Sequence, residues 1–172
     1  MNAMRGRYPF LDPVRGELLK AKWIWVACCF SPIIYFFLAR AVEVWSFRDA
    51  AKSGLVGLDP ENRDRAAKAF FLFAVSLEAA VLSLRHWFNR RARSGTTTLQ
   101  EVMSLYLKRT IVLLAVSECA VLGGFVYFLL FGDMRALLIG GVLTYLYYAQ
   151  SYPSEEGLAR LAEPLRRARG GE

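Results

Sequence analysis

Histidine is nearly missing from this 172-residue chain, and the single one, His86, excludes several chemistries by its isolation. A haem held within one chain needs paired axial ligands, and His86 has no counterpart. It stands beside Arg85 and Trp87 at the end of an apolar run, where an interfacial role suffices. Cysteine is scarce too. Cys28 and Cys29 are adjacent and Cys119 is far away, so no spacing fits a metal site or a redox pair, and small apolar packing is their expected role. The chain also lacks a phosphate-binding loop, a nucleophile paired with a base, and any cluster of metal-ligating residues. No enzymatic activity, cofactor or metal is therefore expected. The period-2 alternation and many short segments of a membrane β-barrel are missing as well, which leaves helices as the way to satisfy backbone polar groups in lipid.

What the chain has in quantity is apolar surface. Hydrophobic residues make up 55% of it and the mean hydropathy is +0.29, more than a soluble domain can cover with polar groups. Four runs stand out, from Trp23 to Ala39, Ala66 to Leu84, Ile111 to Phe131 and Ala136 to Ala149. A spanning helix needs about 20 residues, with about 17 as a lower limit, so the last run needs its Tyr-rich flank to cross. The expected fold is all-α, a four-span transmembrane helical bundle with a kinked first helix and a short amphipathic C-terminal helix. The kink is expected at Pro32, which removes a backbone hydrogen bond inside the first run. That run is too long for a secretory signal and is read as a retained helix.

The charges order these spans. Arg5, Arg7, Arg15, Lys20 and Lys22 precede the first run, and Arg85, Arg90, Arg91, Arg93, Lys108 and Arg109 crowd the link between the second and third. Basic residues favour the cytoplasmic side, which places both clusters and both termini there. The link from Ala41 to Arg65 carries mixed charge and suits the far side. This gives residues 1–22 as a cytoplasmic segment, 23–149 as the transmembrane domain and 150–172 as a cytoplasmic amphipathic tail, in a bacterial inner membrane. The net charge of +7 then reflects orientation, and nucleic acid is not an expected partner.

Local punctuation agrees with this division. Asp64 is a candidate cap for the second span, and Thr98-Leu99-Gln100-Glu101 is a capping box that would start the third helix at Leu99 and carry it to Phe131. Gly132-Asp133-Met134-Arg135 reads as a tight turn. Pro153 should end the fourth helix, and Ser154-Glu155-Glu156 should start another whose Leu158, Leu161 and Leu165 lie on the membrane surface or a neighbour, with Pro164 limiting its length. Trp23, Trp25, Trp45, Trp87, Tyr145, Tyr147, Tyr148 and Tyr152 fall near span ends, as interfacial belts do.

Two acids interrupt the apolar runs, Glu78 and Glu118. An ionisable group at mid-bilayer costs about 2.5 to 3.5 kcal/mol on insertion scales and so marks a functional site by default. Counting from the shared basic link puts both at one depth, roughly 12 to 14 Å from the cytoplasmic end. On a helical wheel Glu118 shares a face with Ile111, Leu114, Leu122 and Phe125, while Cys119, Ala120, Gly123 and Gly124 lie opposite; Glu78 is likewise opposed by Ala79 and Ala80. Small residues mark close helix packing. The acid faces should then turn away from the tight faces, toward a second copy or another membrane protein.

The run Arg109-Thr110-Ile111-Val112-Leu113-Leu114-Ala115-Val116-Ser117-Glu118-Cys119-Ala120-Val121-Leu122-Gly123-Gly124-Phe125-Val126-Tyr127 resembles the carboxylate-bearing helix of the proteolipid, or c subunit, of rotary ATPases, and of small four-helix bacterial membrane proteins that share it. The Gly-x-Gly repeat of that family's partner helix is absent here. The resemblance implies that Glu118 is the proton- or cation-binding position. The expected function is a proteolipid-like homo-oligomer in the lipid bilayer whose Glu118 and Glu78 bind or relay a proton or cation. The alternatives are a structural or accessory subunit of a larger membrane complex, with the acids as hydrogen-bonding glue, and a small multidrug-type transporter.

Overall fold

A computed structural model of the protein describes residues 8–45, 60–95 and 98–170. A 3-10 turn, Pro9–Val14, leads into α1 (Arg15–Cys29) and α2 (Ser31–Trp45), followed by α3 (Pro60–Gly95), α4 (Leu99–Phe131), α5 (Met134–Gln150) and α6 (Glu155–Gly170). Every regular element among the described residues is helical. The centre of the Ala41–Arg65 link, 46–59, and the basic residues Arg5 and Arg7 lie outside the described residues.

Three helical segments are long and apolar enough to cross a membrane: Pro9–Val44, Asp64–Ala92 and Leu99–Phe131. The fourth apolar run forms α5, whose 17 residues rise only about 25 Å. The first segment bends by 20°. Its α-helix breaks at Phe30, two residues before Pro32, where the Phe30 N–H turns back to the Ala27 carbonyl at 3.2 Å. Pro32 has no N–H to give to the turn before it, so the ladder is weakest there.

The segment boundaries follow from local chemistry. Thr98 and Glu101 form the reciprocal capping box, the Thr98 hydroxyl accepting from the Glu101 amide at 3.2 Å and the Glu101 carboxylate from the Thr98 amide at 3.1 Å. α4 runs from there to Phe131, as its sequence predicts. It stops at Gly132, which takes the left-handed conformation with φ of 70° and returns its N–H to Phe128 at 2.7 Å. Asp133 then caps α5 by accepting from the Arg135 amide at 2.9 Å. At its start α3 departs from expectation. The helix begins at Pro60 rather than at Asp64, because proline is favoured at the first helical position, and Asp64 instead pairs with Lys68 one turn on at 2.6 Å. Pro164 does not limit α6 either, since the helix continues to Gly170. The ring is exposed, so the interruption is confined to the solvent side of one turn.

α4 is the central element. In its most apolar window 39% of residues are buried, against 11% in each of the other two long segments. The register follows from facing pairs. Tyr35 of α2 meets Phe125 at 5.5 Å and Ala39 packs with Phe128, so α1 and α2 run parallel to α4. Phe70 of α3 meets Tyr127 at 5.5 Å and Asn89 accepts from Arg109 at 3.0 Å, so α3 runs antiparallel to it.

The tightest contact is between α4 and α5. A Cβ on Gly124 would lie 2.6 Å from the Ala136 carbonyl oxygen, and one on Gly140 would overlap the Ala120 carbonyl oxygen. Backbones approach this closely only where side chains are absent, which is how membrane helices gain dispersion contact.

A second core lies at the end of the bundle that holds both described chain ends. Leu11, Val14 and Leu18 pack there with Val102, Met103 and Tyr106 of α4 and with Leu158 and Leu161 of α6. The apolar face of α6 is therefore spent on its own chain rather than on a membrane surface or a neighbour. Tyr106 anchors the joint, accepting from the Ser154 amide at 3.0 Å and donating to the Ser154 carbonyl at 3.3 Å.

Gly140→Ala should lower unfolding stability by about 1 to 3 kcal/mol, the usual cost of overpacking. Gly141→Ala, whose added Cβ would meet nothing nearer than Pro32 at 3.9 Å, should be close to neutral. Unfolding of both variants in lipid bicelles, followed by steric trapping, measures the contrast.

Candidate functional site

The polar groups of the membrane region gather at one level. The facing pairs of α3 and α4, Phe70 with Tyr127 and Asn89 with Arg109, put Glu78 opposite Glu118 along the bundle axis. The expectation of equal depth is met by this register. The break between α1 and α2 falls at the same height, because Ser31 reaches Glu118.

Glu118 is half-buried and finds its polar partners within its own chain. The Ser31 hydroxyl donates to one carboxylate oxygen and the Tyr148 hydroxyl to the other. Cys28 and Cys29 are near enough to interact with it electrostatically. The helical-wheel reading turns this face toward a second copy or another subunit; Glu118 itself finds polar partners within the chain, while Ile111 and Leu122 on the same face are exposed. A wheel with one tight face assumes a peripheral helix, whereas α4 is packed by α1 and α2 on one side, α5 on another and α3 on a third. Ala120 and Gly124 of its small-residue face meet α5, and Glu118 of its acid face meets hydroxyls of α2 and α5.

Tyr147 and Tyr148 are likewise misplaced by the belt argument. Their relative exposures are 2% and 1%, so both belong to the core rather than to the interface. Proximity to a helix end suggested the belt, but each hydroxyl has an internal acceptor, Tyr148 on Glu118 and Tyr147 on the Ala74 carbonyl at 3.4 Å. Trp23, Trp87 and Tyr152 are exposed, and Trp25 is half-buried, its indole N–H donating to the Tyr148 carbonyl at 2.9 Å.

The broken first segment is tied to α5 beside the acid. The Tyr145 hydroxyl donates to the Cys29 carbonyl at 3.0 Å, on the last residue of α1. Tyr145, Tyr148 and the Tyr148 carbonyl thus hold the bend from one helix, and the bend aims Ser31 at Glu118.

A feature that sequence reasoning missed lies one residue before Glu118. The buried Thr144 hydroxyl donates to the Ser117 carbonyl at 3.0 Å and accepts from the Val121 amide at 3.2 Å. Those two backbone groups are four residues apart and ordinarily bond to each other. Thr144 bridges them across the helix contact, on the same turn that carries Glu118. The signal in the sequence is weak: a threonine one turn after Gly140 in an otherwise apolar helix, which marks a close-packed face but not its acceptor.

Glu78 has a different setting. It is exposed on α3 and makes no hydrogen bond or ion pair among the described residues, and Tyr147 is near enough to interact with it electrostatically. The two acids share a depth but not a site: one contacts Tyr148 and the other faces its sequence neighbour Tyr147. The residues expected to pack are divided. Ala120 and Gly124 lie against α5, Gly123 faces the Phe73 ring of α3, Ala80 is half-buried, and Cys119 and Ala79 are exposed. Among the described residues no group of His, Cys, Asp and Glu could hold a metal ion by those side chains.

No family model, curated protein or solved structure matches the chain.

Thr144→Val keeps the shape of the side chain and removes the bridge. It should cost about 1 kcal/mol, the usual scale of an interhelical hydrogen bond in a membrane, while Thr144→Ser retains most of that stability. Equal stability of the valine variant and the parent in a bicelle unfolding assay would show that the bridge contributes nothing.

Proposed function

We propose that this chain is a four-crossing, proteolipid-like membrane protein that binds or relays a proton or a cation at Glu118. The observation that carries the reading is that the mid-bundle carboxylate has two hydroxyl partners, Ser31 and Tyr148, drawn from different helices. A hydroxyl both donates and accepts. When Glu118 is ionised, both hydroxyls donate to it, and hydrogen bonds to a charged group are worth about 1.5 to 3 kcal/mol each. When Glu118 is protonated, its own O–H can donate to either hydroxyl oxygen without moving the helices. The site therefore suits both protonation states. The same oxygens are the donor type that hard cations take. In the packing-glue alternative one protonation state would suffice.

One copy of the chain supplies both hydroxyls of the Glu118 site. α5 supplies the fourth crossing, with Ser151, Tyr152 and the buried Pro153 extending its short helix toward the interface. The orientation rests on charge. Lys20, Lys22, Arg85, Arg90, Arg91, Lys108 and Arg109 share the end of the bundle where α6 packs, while Asp64, Lys68, Asp133 and Arg135 of mixed sign mark the other. Both termini are then cytoplasmic, in a bacterial inner membrane.

A hydrophobic carbodiimide reacts with protonated acids inside lipid, so it should modify Glu118, and high pH or a bound cation should protect it. Glu118→Gln should keep the fold and abolish the protection. Tyr148→Phe removes one donor to the ionised form and should speed modification by about tenfold or more. A Glu118 that is unreactive at every pH, or a Gln variant indistinguishable from the parent in ion-dependent assays, favours the accessory-subunit reading instead.

Cysteine placed at the exposed Asn62 should be labelled by an impermeant reagent on intact cells, and cysteine at the exposed Gln100 only after permeabilisation. The opposite pattern reverses the orientation.

A further inference from the structure

The cleft beside Glu78 is separate from the Glu118 site, and its chemistry points to a ligand of its own. Between α3 and α5, over the back of α4, lies a cavity of about 530 Å³. That volume falls within the range of about 300 to 1,000 Å³ typical of small-molecule sites. Its walls are mostly apolar, with the rings of Phe70, Phe71, Tyr127 and Tyr147 among them. Its inner end is closed where the Tyr147 hydroxyl reaches the Ala74 carbonyl of α3. Its rim is formed by the exposed apolar side chains of Phe71, Val75 and Ile139, so it opens through the surface that faces lipid.

Glu78 stands on this wall at the inner end, and among the described residues the other charged groups lining the cavity are Asp133 and Arg135, twelve to fourteen residues away along α5 from Tyr147 and thus at the outer mouth. Asp133 and Arg135 are of opposite sign, which leaves Glu78 to set the charge of the interior. A lipid acyl chain would bring hydrocarbon onto that carboxylate and offer it nothing. A positively charged, ring-bearing molecule would supply the missing counter-charge and place its apolar groups against the aromatic walls, where cations are also attracted to ring faces.

We propose that this cleft binds an amphiphilic organic cation from the bilayer, with Glu78 as its counter-charge. The site does not depend on the proton or cation reading of Glu118. Tetraphenylphosphonium and tetraphenylborate have nearly the same shape and opposite charge, so together they isolate the electrostatic part of recognition from the apolar part.

The test is equilibrium binding of both probes to the full chain reconstituted in phosphatidylcholine vesicles, with protein-free vesicles subtracted. The parent should bind the phosphonium cation saturably and the borate anion not at all. Glu78→Gln should weaken phosphonium binding by about tenfold or more, the scale of a desolvated charge contact. Ala74→Phe, which fills the cleft without touching the charge, should abolish it, so a failure of the first variant to fold leaves the second to decide. Glu118→Gln separates the two sites: binding that disappears in this variant and persists in Glu78→Gln would overturn the assignment. Equal binding of the anion, or a co-purifying phospholipid that the phosphonium cannot displace from the cleft, would overturn it as well.

Discussion

The bridge made by Thr144 is the contact on which the rest of the arrangement depends. One hydroxyl engages both a carbonyl and an amide of α4, and it does so only because Gly124 and Gly140 let the two backbones close to within the reach of a short side chain. In lipid there is no water to take up an unpaired backbone group, so a side chain that joins a carbonyl and an amide of one turn must be placed accurately. The small-residue contact supplies that accuracy. It also fixes the rotation of α5 about its own axis, and with it the direction of Tyr145, Tyr147 and Tyr148.

Those three tyrosines distribute the polar work of the membrane region. Tyr145 holds the Cys29 carbonyl at the break in the first segment, Tyr148 donates to Glu118, and Tyr147 reaches across to α3. Consecutive residues on a helix point about 100° apart, which is why Tyr147 and Tyr148 serve opposite sides of α4. Two acids at one depth are thereby kept in separate environments, one between two hydroxyl donors and one at the inner end of a lipid-facing cleft. The proposed roles differ for that reason: a carboxyl held by hydroxyls is suited to a proton or small ion, and a cleft with aromatic walls to a larger cation.

The break at Phe30 gains meaning in the same frame. A straight helix through Pro32 would leave its backbone disruption facing apolar neighbours. Here the disruption sits where Tyr145 satisfies one carbonyl and Trp25 pins the preceding turn to the Tyr148 carbonyl. The bend is modest, and its consequence is positional, since it brings the first hydroxyl of α2 onto the acid of α4.

Much of the plan is legible in one dimension. The apolar runs, the capping box at Thr98, the tight turn at Gly132 and the start of the last helix at Ser154 are local, because each depends on residues within a turn or two of one another. The common depth of Glu78 and Glu118 follows from counting along two helices joined by a short link. Faces and partners are another matter. Glu118 pairs with residues 87 positions before it and 30 after it, and no periodicity within α4 encodes which helix covers which side. Misreading Tyr147 and Tyr148 as interfacial has the same origin, for distance from a helix end says nothing about rotation about its axis. The sequence by itself determined an all-helical membrane protein with two acids at one level. The tertiary structure alone decided that they occupy separate sites, because in a bundle the rotation of each helix is set by its contacts with all the others.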